Sequence, residues 1–244
     1  MRQLDLGLSG KIAIVTGGTG ALGCSVVKAL LVSGVRVVAA YRSRDKLENL
    51  IELLRELKDN LTGIEADVDD EESVVNLVQH TIEEFGRVDI LLNIVGGYKG
   101  GSTVADTTLE EFNNMIGMNL KSAFLCSKHV LPHMMKENYG KILSISARPA
   151  VDRRRRVKSG AYAISKTGVK ILAETIAEEV RDYNINVNCI MPSMIDTPDN
   201  KRNFPDADFS KWVKPEQIAK VILFLVSEDS SSISGASIPV YGKA

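Results

Sequence analysis

Short, uninterrupted apolar runs alternate along this chain with longer stretches in which apolar residues recur every third or fourth position. Residues 11–15 and 35–41 are rich in Val, Ile and Ala and show no polar alternation, the pattern of strands buried on both faces. Between them, residues 21–33 carry apolar side chains at helical spacing and stop at Gly34. Residues 44–58 place Leu47, Leu50, Ile51, Leu54 and Leu57 on one face with charges opposite, which predicts an amphipathic helix. The pattern then predicts a strand over 62–66, a helix over 71–85 and a strand over 88–93. A long helical stretch follows over 109–136, interrupted near Gly117, then a strand over 141–146, a helix over 160–182 and a strand over 185–190. A polar segment with three prolines spans 191–214, and a helix over 215–227 and a short strand over 238–241 close the series. Such alternation implies an α/β fold with a parallel sheet covered by helices on both faces. Nothing reads as a linker or repeat, so one domain over 1–244 is expected, with 191–214 as a lid over a substrate.

Composition narrows the functional classes. At 244 residues and 44% hydrophobic, the chain can bury a core without disulfides or metals. Lys and Arg number 30 against 31 Asp and Glu, a balance that gives no reason to expect nucleic acid or membrane as a partner. Residues 1–10 lack the basic-then-apolar layout of a signal peptide, and a cytoplasmic location is expected. Cys24, Cys126 and Cys189 are scattered and odd in number, as reduced thiols would be. His129 and His133 stand one helical turn apart, but Pro132 intervenes and no third ligand is evident, so no metal is expected.

The first strand runs into Thr16-Gly17-Gly18-Thr19-Gly20-Ala21-Leu22-Gly23, which opens a helix. Gly18, Gly20 and Gly23 satisfy G-x-G-x-x-G in a strand–turn–helix setting, where glycines let backbone approach a pyrophosphate and a helix N-terminus offers free N–H donors. A dinucleotide site of this type with an acid after the second strand holds a ribose 2′-OH. Here that strand ends in Tyr41-Arg42-Ser43-Arg44, so no carboxylate opposes a phosphate and two guanidiniums are at hand. This favours NADP(H) over NAD(H), the alternative being that Arg42 and Arg44 are solvated residues before a helix.

These residues resemble the short-chain dehydrogenase/reductase family, and the resemblance extends over nearly the whole chain. Thr16, Gly17 and Gly23 fit the family's T-G-x-x-x-G-x-G, with Ala21 for the middle glycine. Asp67-Val68 stands at the adenine position, and Asn93-Ile94-Val95-Gly96 is similar to N-N-A-G. Asn119 falls at the helix-kinking asparagine, and Tyr162-Ala163-Ile164-Ser165-Lys166 is a Y-x-x-x-K. Pro192 to Thr197, with Ile195 between, resembles the P-G-x-I-x-T that lines the nicotinamide, with Ser193 for the glycine. The resemblance implies a Rossmann-type, doubly wound sheet and a cofactor site of Gly17, Thr19, Gly20, Ala21, Leu22, Gly23, Tyr41, Arg42, Asp67, Val68, Asn93, Val95, Gly96, Tyr162, Lys166, Pro192, Ile195 and Thr197. It also implies a homodimer or homotetramer joined through the long helices. Segments 96–101, 146–150, 196–200 and 205–212 further resemble dihydropteridine reductases, although Tyr41-Arg42 departs from the acid usual there.

Tyr162 and Lys166 lie four residues apart on a predicted helix and so emerge on one face. A free tyrosine titrates near about 10, and bringing it to about 7 needs about 4 kcal/mol of differential interaction. A nearby ammonium together with oxidised nicotinamide would supply it. Tyr162 is thus expected as proton donor and acceptor, Lys166 as its partner and a ligand of the nicotinamide ribose, and Asn119, by family analogy, as the holder of a water on the proton path. Ala147 stands where the family carries a serine that steadies the substrate oxygen. Ser146 precedes it and points to the other face of a regular strand; with Arg148 it is the candidate substrate contact. Arg153 to Arg156 and Lys158 are a solvated loop or an attraction for an anionic substrate. The expected activity is hydride transfer to a small carbonyl or cyclic C=N substrate, dihydropteridine-reductase-like, the alternatives being a 3-oxoacyl-thioester or general ketone reductase and a non-catalytic NADP sensor.

Overall fold

The computed structural model describes residues 6–243. Seven parallel strands form one sheet: β1 (Ile12–Thr16), β2 (Arg36–Tyr41), β3 (Leu61–Glu65), β4 (Ile90–Asn93), β5 (Gly140–Ile145), β6 (Ile185–Pro192) and β7 (Ser237–Val240). Their order is β3-β2-β1-β4-β5-β6-β7, so the winding reverses between β1 and β4. A doubly wound sheet opens a crevice at the carboxyl ends of its strands where the order reverses. Thr16 of β1 pairs with Asn93 of β4 at that point.

The central strands are rich in apolar residues because each face meets helices. Ala13 and Val15 of β1 pack with α1 (Ala21–Val32) and α8 (Pro215–Val226) through Val27, Leu30, Ile218 and Ile222. Ile14 turns the other way, toward Leu77 of α3 (Glu71–Phe85), Val130 of α5 (Ser122–Glu137) and Ile176 of α6 (Gly160–Glu179). Helix α3 starts where Asp70 accepts from the Ser73 amide at 2.8 Å and ends at Gly86 with φ +79°, the bounds its cap residues predict.

Two elements differ from expectation and a third meets it. Helix α2 (Arg44–Leu53) ends five residues early, because the chain turns through Leu54–Leu57 and a 3₁₀ turn at Lys58–Asn60 to lay β3 beside β2. The stretch from 109 splits into α4 (Leu109–Ile116) and α5 with a π turn at Gly117–Lys121 between them, which is the interruption expected near Gly117. The segment read as polar loop contains α7 (Pro198–Asn203) and a 3₁₀ turn at Phe209–Lys211. Among the described residues no helix is long and apolar enough to cross a membrane.

Candidate active site

The crevice is built first by Thr16. Its hydroxyl donates to the Leu92 carbonyl (3.2 Å) and accepts from the amides of Ile94 (3.1 Å) and Val95 (3.3 Å), tying the end of β1 to the exit of β4. Gly17 then turns the chain with φ +70°, and a Cβ there would stand 2.9 Å from the Val95 nitrogen. At Gly23 a Cβ would collide with the Gly17 carbonyl and lie 2.7 Å from Gly18 Cα, so α1 presses against the turn only because both lack side chains. Helix α1 begins after Gly20 with no side-chain cap and no acid in its first turn. The amides of Ala21, Leu22 and Gly23 therefore have no side-chain partner, and beside the half-buried Thr19 they offer a cradle for an anion. These features fit a dinucleotide pyrophosphate.

Beyond β2, Arg42 Nη1 stands 3.8 Å from Asp67 Oδ2, both side chains at least half exposed. Arg44 reaches back to the hydroxyl of the buried Tyr41 (3.4 Å) and to Glu48 (3.1 Å). Arg42 is thus the guanidinium at the crevice mouth, and Arg44 is held on α2. Val68 is 5% exposed and packs into the core, leaving its backbone for any ligand.

At the exit of β4 three elements meet. The Asn119 side chain, buried in the π turn, accepts from the Gly97 amide (3.0 Å) and donates to the Gly97 carbonyl (3.2 Å) and to Ser165 Oγ (3.1 Å). Lys166 is 4% exposed and donates to the Ile145 carbonyl at 2.8 Å. A Cβ on Gly96 would lie 2.7 Å from Asn119 Oδ1 and 2.9 Å from Lys166 Nζ, so any side chain there would push these groups from their present places. Tyr162 stands one helical turn before Lys166, half-buried, with the Tyr98 ring in a T-shaped contact at 5.0 Å. Burial holds the Lys166 ammonium down to about 8. Burial also pushes the Tyr162 phenol up, with Tyr98 adding to the shift. Each shift disfavours the charged form of its group. The lowered phenol expected from the sequence is therefore not a property of the chain alone: burial and Tyr98 both raise it, and the Lys166 ammonium donates to the Ile145 carbonyl.

Several residues singled out in the sequence already have partners within the fold. Asn93 is 4% exposed, and its amide donates to Ser127 and Ser144 at 3.2 Å each, bracing β4 against α5 and β5 rather than facing the crevice. The Ser146 hydroxyl donates to the Lys166 carbonyl at 2.7 Å, as the face alternation of β5 requires, so it anchors α6 and does not take the place of the hydroxyl missing at Ala147. Arg148 pairs with Asp152 at 3.1 Å and lies over the Tyr241 ring at 4.8 Å. Thr197 accepts from the Asn200 amide at 3.3 Å and caps α7, while Pro192 closes β6 beside Val240 and Ile195 bridges to Val213. His129 pairs with Glu71 at 2.9 Å. Two residues escaped the sequence reading: Tyr98, and Phe204 at the end of α7, whose ring lies 6.4 Å from that of Tyr98. Thr197-Pro198 is the N-cap and first-turn signal that marks α7.

A glycine cradle on a doubly wound sheet, with Tyr and Lys one turn apart beside it, defines a nicotinamide-dependent oxidoreductase, and the family profile described as short chain dehydrogenase matches residues 11–208. The chain belongs to that family, the NAD(P)-dependent short-chain dehydrogenases/reductases. Its relatives include the 3-oxoacyl-[acyl-carrier-protein] reductase FabG of Thermotoga maritima, 29% identical over 96% of this chain and 98% of the relative. Glucose 1-dehydrogenase 2 of Bacillus subtilis is 31% identical over 96% and 95% of the two chains. Among solved structures, ElxO with NADP bound superposes with a TM-score of 0.89 at 27% identity, covering 96% of this chain and 98% of that one.

Proposed function

We propose that this protein is an NADPH-dependent reductase of a small carbonyl or cyclic C=N compound, with Tyr162 delivering the proton. The observation that carries this reading is the convergence of Lys166 Nζ and Asn119 Oδ1 on Gly96, one turn from Tyr162. Bound NADPH supplies the hydride. Gly17, Thr19 and Gly20, with the amides of Ala21 to Gly23, would hold its pyrophosphate; Arg42 takes the 2′-phosphate; Asp67 and Val68 border the adenine. Val95 and Gly96 would border the nicotinamide ribose, and Pro192, Ile195 and Thr197 the nicotinamide. Lys166 binds that ribose and holds positive charge beside the phenol. Asn119 is a positioning residue that fixes Gly97 and keeps one acceptor site of Oδ1 for the proton path.

Ala147, 6% exposed, brings no hydroxyl to the substrate oxygen, which supports a substrate that needs little polarisation, such as a quinonoid dihydropterin. A 3-oxoacyl thioester is the second reading, supported by the FabG relative and by Arg153, Arg154 and Arg155, all exposed on the turn before α6. The segment 191–214 would act as the lid. Phe124 on α5 and Ile164 and Ile171 on α6 are about half exposed, at 47, 54 and 55%, which supports pairing of two copies through these helices. The free thiols of Cys126 and Cys189 suit the reducing cytoplasm.

The test follows NADPH absorbance with a quinonoid dihydropterin, a diketone and acetoacetyl-coenzyme A. Oxidation with one of them, abolished in Tyr162→Phe, is expected. Tight NADPH binding without oxidation of any of them, or of other ketones and imines, would contradict the reading.

A further inference from the structure

Tyr98 is a large aromatic left 54% exposed, yet its position is closely built. A T-shaped contact at 5.0 Å and 83° sets it on Tyr162, and its ring lies 6.4 Å from that of Phe204 in the lid segment, tilted by 52°. The loop beneath is shaped for it. A Cβ on Gly100 would run into the Tyr98 ring (2.8 Å from Cζ) and come within 3.0 Å of the Lys158 carbonyl. Gly101 takes φ +111°, a conformation that favours glycine, and its amide donates to that same carbonyl at 2.7 Å, four residues before Tyr162. A Cβ on Gly97 would meet Met118 in the π turn. The loop is thus moored at both ends to the elements that carry Asn119 and Tyr162.

We propose that Tyr98 and Phe204 form an aromatic clamp that selects flat, conjugated cyclic ketones or imines and lays them against Tyr162. The inference rests on the reductase reading and names its substrate class. A flat ring held between two aromatic faces needs about 7 Å, twice the carbon contact distance of about 3.5 Å. The present separation is 6.4 Å with the planes 52° apart, so the Phe204 ring, at the end of α7, would turn by about that angle to bring the two faces parallel around a substrate. The T-shaped contact of Tyr98 with Tyr162 can cover at most one broad face of Tyr98, so the other serves for stacking and the clamped ring lies beside the phenol. Aliphatic ketones gain nothing from such faces. The clamp therefore discriminates by shape and π-surface, while Ala147 leaves room where a hydroxyl would grip a carbonyl.

The test uses isatin, a flat bicyclic ketone, and butane-2,3-dione, an aliphatic one of similar reactivity, with NADPH. Replacing Tyr98→Ala is expected to lower the isatin-to-butanedione ratio of kcat/KM by about tenfold, mainly through KM, and Tyr98→Trp to restore it. Oxindole, flat but not reducible, is titrated calorimetrically against the NADP+-loaded protein; its affinity is expected to fall about tenfold in Tyr98→Ala and in Phe204→Ala. An unchanged ratio, or wild-type protein that does not bind oxindole, overturns the clamp. Oxindole binding lost in both variants, with neither ketone reduced, supports the clamp and strikes the reductase reading alone.

Discussion

A single methyl group added to Gly96 would stand 2.9 Å from the ammonium of Lys166, closer than a methyl carbon and a lysine nitrogen pack. The loop leaving β4 thus grips the helix that carries Tyr162, and the Tyr–Lys pair is positioned by a residue with no chemistry of its own. In Gly96→Ala both Lys166 and Asn119 must yield. Misplacing a catalytic group by about 1 Å can cost about 100-fold in rate. We expect kcat/KM to fall by about that factor with the circular dichroism spectrum retained, and wild-type kcat/KM in the folded variant would contradict the placement.

Arg42 is the cation at the crevice mouth, and its only ion-pair contact among the described residues is a loose one, 3.8 Å from Asp67. A charge-assisted bond to a 2′-phosphate contributes about 1.5–3 kcal/mol. Arg42→Glu is expected to weaken NADPH binding by roughly 10- to 100-fold and to strengthen NADH binding, measured by fluorescence titration. Because both side chains are exposed, thermal stability stays within about 0.5 kcal/mol. An unchanged NADPH-to-NADH affinity ratio would remove Arg42 from the cofactor site.

Lys166 titrates near about 8 in the fold against 10.5 when free. Its burial therefore costs stability where it is charged in both states, below about pH 8, and the cost fades as pH rises toward 10.5. Lys166→Met keeps the stem volume and removes the charge. The stability advantage of the variant over wild type should be largest at pH 7 and shrink by on the order of 3 kcal/mol by pH 10.5, read from urea unfolding at each pH. A pH-independent difference would mean that the ammonium is not desolvated in the fold.

The sheet was legible in the sequence because its central strands are buried on both faces and so are dominated by apolar residues, as in residues 12–16 and 36–41. The glycine cradle was legible because its residues are contiguous. What a polar side chain touches was not. Asn93 and Ser146 sit within recognisable motifs, yet one braces the sheet and the other anchors α6, since the partners Ser127, Ser144 and Lys166 are distant in sequence. The early end of α2 reflects tertiary demand over helical pattern: Leu54 stays buried at 3% although the helix has stopped. Tyr98 and Phe204 meet only because the loop after β4 and the segment after β6 rise from the same end of the sheet.

In the absence of cofactor, burial and Tyr98 hold the Tyr162 phenol above its ordinary range, so Tyr162 stays protonated, the form from which a proton donor acts. The most direct measurement is on Tyr162→Phe, whose ring fills the same space without the ionisable hydroxyl. General acid catalysis of this kind contributes about 100- to 10,000-fold. We predict a fall in kcat within that range with the dissociation constant for NADPH unchanged; a variant that binds NADPH normally and retains wild-type kcat would contradict the assignment of Tyr162 as the proton donor.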